Sequence, residues 1–192
     1  MNYQDYIWDL GGTLLDNYET STAAFVHTLQ DFGLTASHDE VYKALKVSTE
    51  YAVRQFAPRN KEFLKAYKAN EAKELEHPIL FDGASELLAQ IIQQGGRNFL
   101  ISHRDDQVLE ILQKTQIDPY FTEVVTATNG FKRKPDPESM LYLKDKYQIE
   151  SGLVIGDRPI DIEAGQAASF SCYLFDNMKN LEEFVDIELE KE

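Results

Sequence analysis

The 192-residue chain has one cysteine, Cys172, and one tryptophan, Trp8. A lone thiol excludes an internal disulfide and a zinc cage built from cysteines, and it fits a reducing cytoplasm. Positive charge is scarce as well: 19 lysines and arginines face 33 aspartates and glutamates, giving a formal net charge of -14. That balance disfavours nucleic acid or an anionic membrane surface as the main partner. An anionic ligand needs basic residues gathered locally. No stretch approaches the roughly 18 apolar residues of a membrane span. The opening residues, MNYQDYIWDL, have no basic segment and no long apolar run, so no secretion signal is expected and a cytoplasmic location is. Internal repeats and low-complexity segments are missing too.

What is there suffices for a sizeable core, or for a core with a smaller satellite: 43% of the residues are hydrophobic and 27% charged. Five short runs are apolar on both faces, as strands buried between helices must be: YIWDL (6–10), NFLIS (98–102), EVVTA (123–127), GLVIG (152–156) and CYLF (172–175). Helical patterns separate them. ASELLAQIIQQ stops at Gly95 and Gly96, and DDQVLEILQKT, PESMLYLKDKY and IDIEAGQAA follow the second, third and fourth strands. From residue 82 onward strand and helix alternate, which predicts a parallel sheet with helices on both faces.

Between the first strand and residue 82 the pattern is helical throughout. ETSTAAFVHTLQDF is followed by SHDEVYKALK, in which Ser37 and Glu40 have capping-box spacing, then by TEYAVRQF and NKEFLKAYKANEAKELE. Asp16 reads as the cap of the first of these helices. The chain returns through HPILFDGA, punctuated by Pro78 and Gly83. The acidic end, NLEEFVDIELEKE, is expected to be helical to about residue 188.

In an open parallel sheet, ligands bind beyond the carboxyl ends of the strands. The residues placed there are Asp9 with Gly11, Gly12 and Thr13; Ser102 with His103 and Arg104; Lys132 and Lys134; and Asp157 with Asp161. Three aspartates and a lysine converging on one point can bind a hard cation and a phosphoryl group together, since magnesium commonly takes one or two carboxylates, waters and a phosphate oxygen.

These four segments, WDLGGTL, LISHR, KRKPDPE and VIGDRPID, closely resemble in order the motifs of the haloacid dehalogenase-like hydrolase superfamily, mostly magnesium-dependent phosphatases. The resemblance implies an α/β fold: a Rossmann-like three-layer core from residues 1–16 and 82–192, with residues 17–81 inserted as a small all-α cap. It implies that Asp9 is the nucleophile that takes the phosphoryl group, that Ser102 hydrogen-bonds a phosphoryl oxygen and that Lys134 neutralises charge. Asp9, the Gly11 carbonyl and Asp157 are then ligands of Mg2+, with Asp161 binding it directly, through water, or by orienting Lys134. Thr13 orients the nucleophile loop, and His103 is a polar wall of the substrate site. The partner implied is a small phosphorylated metabolite, with monomer and homodimer both open.

Family phosphatases normally carry a second aspartate two residues after the first, which protonates the leaving oxygen and later activates water. Here that residue is Gly11. Losing a general acid/base costs about 10² to 10⁴ in rate. Three readings follow: a phosphatase with a substitute proton carrier such as His103, water or the substrate; a phosphonate or carbon-halogen hydrolase, for which Lys43 or Lys46 on the cap is a conceivable Schiff-base lysine; and a non-catalytic phosphate or metabolite binding module. Blander roles stand beside these. Asp157 and Asp161 suit a helix cap and its first-turn acid, Ser102 suits a cap near Arg104, and Lys134 suits a solvated loop. Lys43, Lys46 and Arg54 lie on the expected cap and either face substrate or are simply solvated, while Arg104 and Arg158 add local positive potential at the site mouth.

Overall fold

The computed structural model of the chain describes residues 3–74 and 76–189, with the side chains of residues 186–189 left aside. Residues 1–2 of the opening segment, residue 75 and residues 190–192 of the acidic end lie outside the described residues.

The five expected strands are present, as β1 (Asp5–Trp8), β2 (Arg97–Ile101), β3 (Phe121–Val125), β4 (Gly152–Gly156) and β5 (Ser171–Leu174). They form one parallel sheet in the order β3-β2-β1-β4-β5. β1 therefore lies at the centre, with Trp8 in register with Leu100 on one side and Ile155 on the other. The strand order reverses direction there. Such a switch point opens a crevice at the carboxyl ends of the strands.

Side-chain alternation along the strands feeds two separate cores. Tyr6, Trp8, Leu100, Leu153 and Ile155 face α5 (Ala84–Gln93), α6 (Gln107–Lys114) and α9 (Met178–Leu189), packing on Leu88, Ile91, Leu112 and Leu181. Ile7, Phe99, Ile101, Val125 and Val154 face the opposite layer, where α7 (Glu138–Tyr147) and α8 (Pro159–Ala167) contribute Met140, Leu143 and Ala164. The result is a three-layer α/β/α arrangement. Burying a side chain such as Phe99 contributes about 2 to 3 kcal/mol. One polar group crosses this interior fully satisfied: Trp8 Nε1 donates to Asn98 Oδ1 at 2.9 Å, and Asn98 Nδ2 donates to the Leu88 carbonyl at 3.1 Å.

Backbone proximity divides the chain into two compact units, Met1–Leu15 with Leu80–Glu192, and Asp16–Ile79. The second unit holds α1 (Asn17–Asp31), α2 (His38–Val47), α3 (Thr49–Phe56) and α4 (Phe63–Glu74). Asp16 caps α1 by accepting from the Glu19 amide at 3.0 Å. Ser37 and Glu40 form the expected capping box on α2. Such a cap stabilises its helix by about 1 kcal/mol. Phe25 is the pivot of this unit's core, with ring centroids 4.9 Å from Phe63 and 5.0 Å from Tyr67 in edge-on geometry. Among the described residues no helix is long and apolar enough to cross a membrane.

Candidate active site

The central strand delivers Asp9 to the carboxyl edge of the sheet, where its amide donates to the Ile155 carbonyl at 2.9 Å and extends the pairing by one residue. The chain then turns sharply. The amides of Leu14 and Leu15 both donate to the Leu10 carbonyl, at 3.0 and 2.9 Å, and the Gly12 amide donates to the Leu15 carbonyl at 2.9 Å. Gly12 sits at φ +86, in the left-handed region that side chains rarely adopt. A Cβ there would come 2.4 Å from Asp157 Oδ2. Gly12 is thus required both by its conformation and by the carboxylate packed against it. Gly11 is not among the glycines with positive φ, so its backbone conformation does not call for glycine.

Asp157 follows β4, and Asp161 lies in the first turn of α8. Gly156 makes their approach possible, since a Cβ at that position would meet Asp161 Cβ at 2.4 Å. Asp9, Asp157 and Asp161 each offer a carboxylate oxygen, and those oxygens all lie within 4.8 Å of one another. Lys134 enters from the loop between β3 and α7, with its side chain 1% exposed. Its Nζ donates to Asp9 Oδ1 at 2.6 Å and lies 2.5 Å from Asp161 Oδ1, with the Ile101 carbonyl at 3.4 Å. Asp161 thus serves two structures at once. Its Oδ2 accepts from the Arg158 amide at 3.1 Å, the helix-start role, while Oδ1 faces Lys134.

Three carboxylates against one ammonium leave two formal negative charges gathered in a largely buried site. Burial pushes the Asp9 carboxyl above its ordinary value, with Asp161 adding to the rise, and Lys134 is the main counterweight that favours the ionised form. Burial, followed by repulsion from Asp9 and Asp161, pushes Asp157 up to about 6. A compact set of hard oxygen donors carrying two excess negative charges fits a divalent cation such as Mg2+. Arg158 is the nearby cation whose charge opposes the rise at both Asp9 and Asp157.

The other expected residues are placed as follows. Ser102 ends the β2 segment, 6% exposed, and its Oγ accepts from the Arg104 amide at 3.2 Å. With that lone pair engaged, the hydroxyl proton remains available to an incoming oxygen. Thr13 is fully buried, and its Oγ1 donates to Asp157 Oδ1 at 3.5 Å, so it supports the acidic cluster from within. His103 makes a link that its sequence position does not reveal: its Nε2 accepts from the Lys134 amide at 2.8 Å. The proton of the ring is therefore on Nδ1. Burial lowers the imidazole to about 4, and the charges of Lys134, Arg133 and Arg158 add to the effect. Beside Ser102 and His103 lies a cavity of about 260 Å3 bordered by Thr126, Phe131, Arg133 and Ser139. Lys132 and Arg133 of the loop that carries Lys134 border this space, and the hydrogen bond that the Lys134 amide donates to His103 ties the loop to the segment after β2. Lys132 lies apart from the cluster, 73% exposed and 3.6 Å from Asp136.

The chain is similar to known proteins over most of its length. A phosphoglycolate phosphatase of Aliivibrio fischeri is 29% identical over 189 residues, covering 88% of this chain and 81% of its own length. The pyrophosphatase PpaX of Oceanobacillus iheyensis is 26% identical over 180 residues, with 88% and 81% covered. Among solved structures, a hydrolase from Streptococcus pneumoniae TIGR4 superimposes with a TM-score of 0.93 at 69% identity, over 97% of this chain and all of its own. A haloacid dehalogenase superfamily hydrolase of subfamily IA from Geobacter sulfurreducens shares the fold at a TM-score of 0.69 and 21% identity, over 89% and 86% of the two chains. The family model of the haloacid dehalogenase-like hydrolases matches residues 6–175, from the first strand to the end of the last, and the chain belongs to that family.

Proposed function

We propose that the protein is a magnesium-dependent phosphatase of a small phosphorylated metabolite, working through a phosphoryl group carried on Asp9. The observation that carries this reading is the convergence of Asp9, Asp157 and Asp161 around Lys134, whose Nζ contacts both Asp9 and Asp161. A nucleophilic carboxylate must be ionised and aimed. Lys134, at 2.6 Å, favours the charged form of Asp9 and leaves its second oxygen to attack phosphorus. Ser102 donates its hydroxyl to a phosphoryl oxygen, and Lys134 offsets charge on the same group. Positioning and charge stabilisation of this kind supply most of the catalysis in phosphoryl transfer.

Asp9, the Gly11 carbonyl, Asp157 and Asp161 are the groups that would hold Mg2+, which when bound offsets the negative charge of the phosphoryl oxygens. Thr13 keeps Asp157 in place, and His103 keeps the Lys134 backbone in place. The paired acids suited to a cation support this reading over carbon-halogen chemistry, which in this family does without the metal.

The test is hydrolysis of an aryl phosphate by the purified protein with and without magnesium, beside Asp9→Asn. Expected are magnesium-dependent turnover and a loss of at least about 10³ in the variant. Turnover no higher than that of Asp9→Asn across a broad panel of phosphates would refute the proposal and favour a binding module.

A further inference from the structure

From the groups around Asp9 we infer that the substrates are phosphoryl donors whose leaving group departs without a proton, namely phosphoanhydrides and acyl phosphates, with alkyl phosphate esters poorly used. This rests on the phosphatase reading above and narrows its substrate class. Transfer to Asp9 forms a bond from its carboxylate oxygen to phosphorus and breaks the bond from phosphorus to the leaving oxygen. The electron pair stays on that oxygen. An alkoxide is a strong base and needs a proton as it leaves, whereas a phosphate or carboxylate is a weak base and is stable in water as the anion.

Among the described residues of the core, no group is placed to deliver such a proton. Gly11 has no side chain at all. His103, the other candidate, is committed: its Nε2 accepts the Lys134 amide at 2.8 Å, so the ring presents only a neutral Nδ1–H, a very weak acid. The charged form is scarce as well, since an imidazole held at about 4 is protonated in roughly one molecule in a thousand at pH 7. Lys134 is engaged by Asp9 and Asp161, and the remaining acids belong to the converging set suited to a cation. Ser102 and Thr13 are ordinary hydroxyls, far too weakly acidic to serve.

The second half of the reaction feels the same gap. Water must attack phosphorus, releasing one proton to solvent and returning the electron pair to Asp9, with no side chain among the described residues of the core to take that proton. Release of the first leaving group therefore outpaces turnover. A burst of about one leaving group per active site precedes a slow steady rate.

The experiment measures kcat/KM for a series of substituted phenyl phosphates that keeps shape constant while leaving-group basicity varies, alongside acetyl phosphate, pyrophosphate and glycerol 3-phosphate. Wild type, Asp9→Asn and Gly11→Asp are compared with magnesium present. The expected result is a steep rise in kcat/KM as the leaving group becomes less basic, and acetyl phosphate or pyrophosphate exceeding glycerol 3-phosphate by about 10² to 10⁴. Gly11→Asp should flatten the series and raise the alkyl ester at least about tenfold. A flat series in wild type, dependent on Asp9, overturns this inference and leaves the phosphatase reading standing. Absence of Asp9-dependent turnover on every substrate overturns both. If Gly11→Asp does not fold, the wild-type series decides alone.

Discussion

Replacing Lys134 by methionine keeps most of the side-chain stem and removes the charge. The wild-type side chain is 1% exposed and contacts Asp9 and Asp161 at 2.6 and 2.5 Å, so the variant leaves both carboxylates buried without their cation. The formal charge of the cluster becomes more negative by one. Breaking a buried pair by deleting one partner costs about 3 to 5 kcal/mol. For a chain of this size each kcal/mol lowers Tm by roughly 2 to 4 °C, which predicts a fall of about 6 to 20 °C at neutral pH without magnesium. The pH dependence separates electrostatics from packing. Burial already raises the Asp9 carboxyl in the wild type, and without Lys134 it rises further; a carboxylate raised on folding takes up its proton in the folded protein first. The penalty is thus full at neutral pH and relieved as pH falls toward about 4. Magnesium should relieve it too, by restoring positive charge. Thermal unfolding of wild type and Lys134→Met at pH 7.5 and 5, with and without magnesium, checks the reasoning. A deficit below about 1 kcal/mol at neutral pH, or one unchanged by acid and magnesium, would show that Lys134 acts by packing alone.

Magnesium should raise the Tm of wild type at pH 7.5 and lose effect below about pH 6, where Asp157 takes a proton in the folded protein and competes with the metal; calorimetric titration at the two pH values measures it, and an equal effect at pH 5 contradicts the assigned ligand. Gly12→Ala should cost about 1 to 2 kcal/mol from its φ of +86 and more from the Asp157 clash, whereas Gly11→Ala, which bears no left-handed φ, should cost less. Equal losses in urea unfolding would refute the distinction between the two glycines. His103→Phe keeps a ring and removes the acceptor of the Lys134 amide, at a cost of about 1 to 3 kcal/mol, and His103→Gln restores an acceptor. The glutamine variant should recover both stability and phosphate affinity, and recovery of neither would rule out the anchoring role.

Much of the core is legible in the sequence because its three central strands, β2, β1 and β4, are buried on both faces and their apolar runs have no competing helical period. The observed boundaries shift where a polar residue is satisfied by a distant partner. β1 begins at Asp5 instead of Tyr6, since Arg97 Nε donates to the Asp5 carboxylate at 2.6 Å and allows an acid into the sheet. Strand order is not legible, because pairing joins segments some 90 or 150 residues apart. The family motifs point to Asp9, Lys134 and the acid pair, yet the sequence offers helix capping and site chemistry for Asp161 as alternatives. The structure uses one oxygen for each. The hydrogen bond from the Lys134 amide to His103 could not be read, because its donor is main chain and its partner lies 31 residues away. The same holds for Gly156, whose missing Cβ matters only once Asp161 is placed beside it.

Trp8 is 1% exposed, hydrogen-bonded through its indole to Asn98, and joined by one peptide bond to Asp9. As the single indole of the chain, it makes the protein its own optical sensor. Emission excited at the red edge of the aromatic band arises from one fixed ring beside Asp9. Under the function proposed above, cation binding at the acidic cluster and phosphoryl transfer to Asp9 would each change the electric field across that ring, and a stopped-flow fluorimeter would read both with no label attached.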